Sequence, residues 1–200
     1  MRIIPDRKDL PDNWYNVLPD LDFRLPPLMS PSGYPLTHHD LKPFVPEGII
    51  SQELNRDRRE IEIPAAVKDY YSEWRPTALY RAERLERVLN TTARIFFKLE
   101  GGAGYSYEAN TAIPQAFYAS EQGVERLVTA TANGEWGVSL AIATNYFGLR
   151  STVYMVRSSY QDKPHGRYLM EILDTQVRPS PSGQTRTGRA ALKNEPDSPG

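Results

Sequence analysis

Between residues 93 and 182 the sequence alternates short strand-like runs with helical runs, and glycines mark several of the joins. Residues 93–100 (ARIFFKLE), 126–132 (RLVTATA), 150–158 (RSTVYMVRS) and 174–182 (DTQVRPSPS) read as strands. Residues 110–123, 136–148 and 164–173 read as helices between them; Gly123 and Gly148 close the first two, and Pro164 suits the first turn of the third. Strands and helices alternating at this spacing form right-handed βαβ units. The expectation is therefore an α/β fold whose parallel sheet is covered on both faces.

Flanking segments read differently. Most of the 17 prolines crowd into residues 1–64 and 176–200. Residues 1–46 alternate large apolar residues with Pro, Asp, Ser and Gly, which predicts an extended arm packed on the body of the protein or on a partner. Short helices are expected at about 47–56 and at 65–74. A helix over 78–90 should bury Leu79, Ala82, Leu85, Val88 and Leu89 as one stripe, with RAERLER (81–87) as its solvent face. A weaker helix is expected over 184–194. The organisation expected is a Pro-rich arm (1–64), an α/β domain (65–195) and a short tail (196–200).

Composition narrows the function classes. At 40% hydrophobic and 24% charged, with a net charge of −1, the chain offers no electrostatic reason for a nucleic-acid or anionic-membrane partner. No apolar run approaches the roughly 20 residues of a membrane span, and the N-terminus lacks the apolar core of a secretory signal. Cysteine is absent, which excludes disulfides and thiolate metal sites; three histidines (His38, His39, His165) argue against a zinc site, so no metal is expected. These features fit a cytoplasmic protein.

In parallel sheets, ligands bind in the loops after the strands' carboxyl ends. Three loops qualify: 101–109, 132–136 and 158–164. In the first, glycines before a helix would expose main-chain N–H groups to an anion, or form a plain flexible turn. It matches neither the dinucleotide fingerprint nor the P-loop. The second, Thr131-Ala132-Asn133-Gly134-Glu135, has the same geometry and would suit a substrate carboxylate, or remain a solvated turn. Glu108 and Glu135 open two successive helices and could act as an acid/base pair, or simply favour the helix dipoles in water. Lys98 is expected to be solvated, and His165 to be a polar helix-start residue.

The run WRPTALYRAERLERVLNTTARIFFKLEG, beginning at Trp74, closely resembles the start of the catalytic body in the second type of tryptophan synthase β-chain. So do WYNVLPDL (14–21), LKPFVPEGIISQE (41–53), NTAIPQAFYA (110–119), GVERLVTATANGEWG (123–137), FGLRSTVYMVRSSYQDKPHGRYLME (147–171), VRPSPS (177–182) and EPDSPG (195–200). The chain is identified as a member of that family, the fold-type II pyridoxal-phosphate enzymes. The resemblance implies the N-terminal half of that fold, preceded by the arm. It also implies an activity, the joining of L-serine to indole.

At the position of the family's Schiff-base lysine this chain has Glu108, and the histidine before it is Tyr107. Ala130 replaces the glutamate of the family's second loop, whose carboxylate-binding run becomes Thr131–Glu135. Gly200 falls about halfway along the family's length, before its phosphate-cradling glycine loop. The reading that follows is a truncated chain without pyridoxal phosphate, using no cofactor. It would bind a small molecule or a partner, or run an acid/base reaction with Glu108, Glu135 and Tyr107 as catalytic residues. Tyr105, Ser106, Asn110, Thr131, Ala132, Asn133 and Gly134 would bind the ligand. The alternatives are one subunit of a split pyridoxal-phosphate enzyme and a non-catalytic interaction module. A homo-oligomer or a companion protein is expected to cover the surface of the missing half.

Overall fold

The computed structural model describes residues 1–23, 25–100 and 106–198. Its elements run β1 (Arg2–Ile3), β2 (Asn13–Tyr15), α1 (His38–Leu41), α2 (Glu47–Glu53), β3 (Glu60–Glu62), α3 (Ala65–Ser72), β4 (Leu79–Arg81), α4 (Glu83–Val88) and β5 (Phe96–Lys98). They continue with α5 (Ala109–Glu121), β6 (Arg126–Thr131), α6 (Glu135–Tyr146), β7 (Arg150–Val156), α7 (Arg157–Asp162), α8 (Pro164–Ile172), β8 (Thr175–Ser180) and α9 (Arg186–Asn194). Among the described residues no helix is long and apolar enough to cross a membrane.

Strands β6, β7 and β8 form the parallel sheet in that order, with α6 and then α7 and α8 as the crossovers. In register, Thr131 lies opposite Met155, and Val156 opposite Ser180, so the carboxyl ends of the strands finish together. The middle strand is the buried one. Val153 and Met155 are inaccessible there, packed with Ala141 of α6 and Met170 of α8. A hydroxyl chain pins its other end: Thr144 donates to Ser151 at 3.0 Å, and Ser151 lies 2.6 Å from the Thr175 hydroxyl. The α/β expectation therefore stands.

Helix α5 places Ala109, Ala112, Ile113, Ala116 and Ala119 on one buried stripe, the three-and-four spacing of a helix face. Small residues let it approach α3 closely, where Val67, Tyr70 and Tyr71 complete the core, and Ala143 brings in α6. Trp14 of the arm packs against this cluster, while β2 pairs antiparallel with β3. Several apolar arm residues, among them Tyr15, Val17, Phe23 and Leu28, stay exposed.

Three local expectations need correction. The helix predicted over 78–90 begins only at Glu83, because Leu79–Arg81 is a strand held on both sides, by β1 and by β5. The predicted stripe is consequently not a core face: Val88 is 81% and Leu89 58% exposed. Buried in its place is Glu86, expected on the solvent face. Its carboxylate accepts from Arg81 Nε and Nη2 at 3.1 and 3.0 Å and from the Ile95 amide at 2.8 Å. Those bonds, Arg81's first, hold its pKa below the ordinary carboxylate value.

Second, the strand predicted over 93–100 shrinks to Phe96–Lys98 and joins the antiparallel sheet β1-β4-β5 instead of the parallel one. Lys98 is not merely solvated there, since its ammonium donates to the Thr77 carbonyl. Third, the loop expected over 158–164 is largely helix α7, which leaves little irregular chain at that strand end.

Candidate functional site

Among the described residues, the β6–α6 junction stands as a loop at the carboxyl end of a parallel strand, where it was expected. Thr131 ends β6 with its side chain buried, and its hydroxyl accepts the Gly134 amide at 3.2 Å. The Asn133 side-chain oxygen accepts the Glu135 amide at 3.2 Å. Gly134 sits at φ +100°, a left-handed conformation that glycine adopts without a Cβ clash. Two turns of hydrogen bonding thus occupy the amides at 134 and 135. The next first-turn amides, Trp136 and Gly137, have no intrahelical acceptor by helix geometry. Ala132, Asn133 and Glu135 are exposed around them. The following turn is packed tightly against the sheet. A Cβ on Gly137 would stand 2.6 Å from Met170 Sδ and 3.0 Å from Val153 Cγ1.

The start of α5 is built separately. The Ser106 hydroxyl donates to Glu108 Oε2 at 3.1 Å and accepts the Glu108 amide at 3.1 Å, a closed local turn. Asn110 donates from Nδ2 to the Tyr107 carbonyl at 2.7 Å and accepts from Arg75 at Oδ1. Tyr107 is 63% exposed. Tyr105 and the glycines before it lie outside the described residues. Among the described residues no hydrogen bond or ion pair joins Glu108 to Glu135: the first is engaged with Ser106, and the second is exposed at the start of α6. A shared proton between them has no geometric support.

Sequence reasoning missed a third feature. Under the arm lies a cavity of about 550 Å³, walled by Leu10, Trp14, Ile63 and Tyr71, with Lys68, Arg75 and Asn110 along its polar side. Lys68, Tyr71 and Arg75 stand three and then four residues apart, a spacing that puts them on one side of α3 and its continuation. That cation–aromatic–cation pattern was the available signal. Burial pushes the Tyr71 hydroxyl up to about 12, against the opposing effects of its Trp14 contact and the Arg75 charge. It remains a donor, giving its proton to the Asn110 carbonyl at 2.7 Å.

Parallel strands joined through helices, with a glycine-bearing loop where β6 meets α6, define an α/β domain of the kind that binds a small ligand at its strand ends. A family model described as "Pyridoxal-phosphate dependent enzyme" matches residues 71–199, and the chain belongs to that family. Similar proteins include tryptophan synthase beta chain 2 of Methanosarcina mazei, 45% identical over 100% of this chain and 45% of that one. The same protein of Pyrococcus abyssi is 46% identical over 99% of this chain and 45% of its own length. That of Thermotoga maritima is 45% identical, over 100% and 48%. The chain spans about half the length of these relatives. A solved pyridoxal 5'-phosphate-dependent aspartate racemase overlaps 68% of this chain and 46% of its own, with a TM-score of 0.47 and 19% identity.

These matches correct the expectation of a chain without a cofactor. The family is one of pyridoxal-phosphate dependent enzymes, the β-chain relatives match along the whole chain, and no finding separates this chain from that dependence. The donor set at the start of α5 bears on attachment alone. Among its described residues are a carboxylate, a phenol, a hydroxyl and an amide, with no amine to condense with an aldehyde. Residue 108 therefore does not fit a covalent tether.

Proposed function

We propose that this chain provides the substrate-carboxylate side of a tryptophan synthase β-type, pyridoxal-phosphate dependent unit, the remainder of the fold coming from polypeptide outside these residues or from a companion chain. The observation that carries this reading is the β6–α6 junction. There, Thr131 and Asn133 use up the amides at 134 and 135 and leave those of Trp136 and Gly137 for an anion. A helix N-terminus favours negative charge by about 0.3–1 kcal/mol, and charge-assisted hydrogen bonds to the amides add to it. The ligand class is a small amino acid such as L-serine, held by its carboxylate. Ser106 and Asn110 at the neighbouring helix start are the polar groups assigned to the rest of that ligand.

Glu108 and Tyr107 keep the acid/base assignment only as individual groups. A carboxylate held by one hydroxyl can accept a proton from a ligand amine, which is the modest role proposed for Glu108. Glu135, exposed beside the anion site, acts against carboxylate binding. Calorimetric titration of L-serine tests the reading. Thr131→Val should weaken binding about tenfold by unfastening the turn that aims the α6 amides, and Glu135→Gln should strengthen it by roughly two- to fivefold at low salt. Unchanged affinity in both variants would remove the site.

A further inference from the structure

We propose that the cavity beneath the N-terminal arm is a second binding site, independent of the β6–α6 junction, and that its ligand is a planar aromatic carboxylate. The cavity holds about 550 Å³, within the range of small-molecule sites. Its walls supply one half of the recognition. Trp14, Tyr71, Leu10 and Ile63 give aromatic and aliphatic surface for a flat apolar ring.

The other half is charge. Among the described residues, the cationic side chains of Arg7, Lys8, Lys68 and Arg75 line the cavity against one carboxylate, Asp12. Asp12 engages Lys68 at 3.1 Å, which leaves that ammonium further donors. Arg75 is held in place from several sides. Its guanidinium stacks 4.6 Å from the Trp74 ring centre, donates to Asn110, and lies 3.6 Å from Glu100. Yet its Nε is buried and has no hydrogen-bond partner among the described residues. A guanidinium presents its donors in a fixed fork that matches a carboxylate, so the acid group is set against Arg75 and Lys68 while the ring lies on Trp14 and Tyr71.

The arm supplies Arg7, Lys8, Leu10 and Trp14, and α3 with the turn after it supplies Lys68, Tyr71 and Arg75. Occupancy would therefore clamp the arm to the body. Asn110 links the two regions, since it binds Arg75 and Tyr71 and stands two residues after Glu108.

The probe is 2-naphthoate, with neutral 2-naphthamide as its control, read by quenching of tryptophan emission in the whole chain. Saturable quenching by the acid is expected, with the amide at least about tenfold weaker and Lys68→Gln lowering acid affinity about tenfold. Arg75→Gln should do the same; if circular dichroism shows that it fails to fold, Lys68→Gln decides alone. Equal binding of acid and amide, full displacement of the probe by stoichiometric inorganic phosphate, or unaltered affinity in Lys68→Gln would each overturn the proposal. Lys68 pairs with Asp12 and not with a residue assigned to L-serine, so Lys68→Gln separates the two readings, whereas Arg75→Gln also reaches the L-serine site through Asn110.

Discussion

The Tyr71 hydroxyl donates to the Asn110 main-chain carbonyl at 2.7 Å, tying the last turn of α3 to the first turn of α5. That carbonyl belongs to the residue whose side chain accepts from Arg75, so a single asparagine fixes the position of both groups beside the cavity.

A pH dependence follows. With its folded pKa raised from 10.0 to about 12 by burial, Tyr71 binds its proton more tightly in the folded state than in the unfolded one. Its contribution is complete below pH 10 and declines as pH rises from 10 to about 12. Tyr71→Phe removes the hydrogen bond, at a cost of about 1 kcal/mol near neutrality. The stability gap between wild type and variant should narrow across that window, as measured by urea denaturation at stepped pH. A gap that widens would contradict the assignment.

Glu86 gives the opposite sign. Arg81 and the Ile95 amide lower its folded pKa beneath the ordinary 4.5, so its contribution is present above that value and fades as pH falls through the folded pKa. Glu86→Gln should be less stable than wild type at neutral pH, and the two should converge in acid. Thermal melts between pH 7 and pH 3 check this; parallel curves would show that the carboxylate's charge has no part in holding β4 to β5.

Much of this architecture was legible in the sequence, and the losses have a common cause. Helix α5, helix α6 and the strands β6 and β7 were readable because Ala109 to Ala119 and Val153 to Met155 bury the faces that their periodicity marks. The run 78–90 was misread because its spacing of Leu79, Leu85 and Val88 fits a helix, whereas pairing of Leu79 with Ile3 and Lys98 decides the outcome. Cross-strand partners distant in sequence leave no local signal. Likewise, the β6–α6 loop was found through its Asn-Gly turn. The cavity required knowing that the arm folds back over Lys68 and Arg75. Glu86 shows a third case, an acidic residue on a charged run whose burial depends on Arg81 and Ile95.

Gly134 tests how the junction is shaped. At φ +100° a Cβ is strained whatever space surrounds it, and nearby atoms leave that space, the nearest being 3.5 Å away. Gly134→Ala should therefore cost about 1–2 kcal/mol through the backbone alone. Chemical denaturation would register this; an unchanged midpoint would mean that the loop relaxes out of the left-handed conformation.

A ligand carboxylate meeting the open amides of α6 is what the L-serine site requires, and an amide-detected ¹⁵N NMR titration observes those groups directly. With L-serine, the Trp136 and Gly137 amide resonances should shift in a saturable way, and serinol, which lacks the carboxylate, should leave them in place. Equal shifts with serinol, or shifts confined to residues away from the β6–α6 junction, would contradict it.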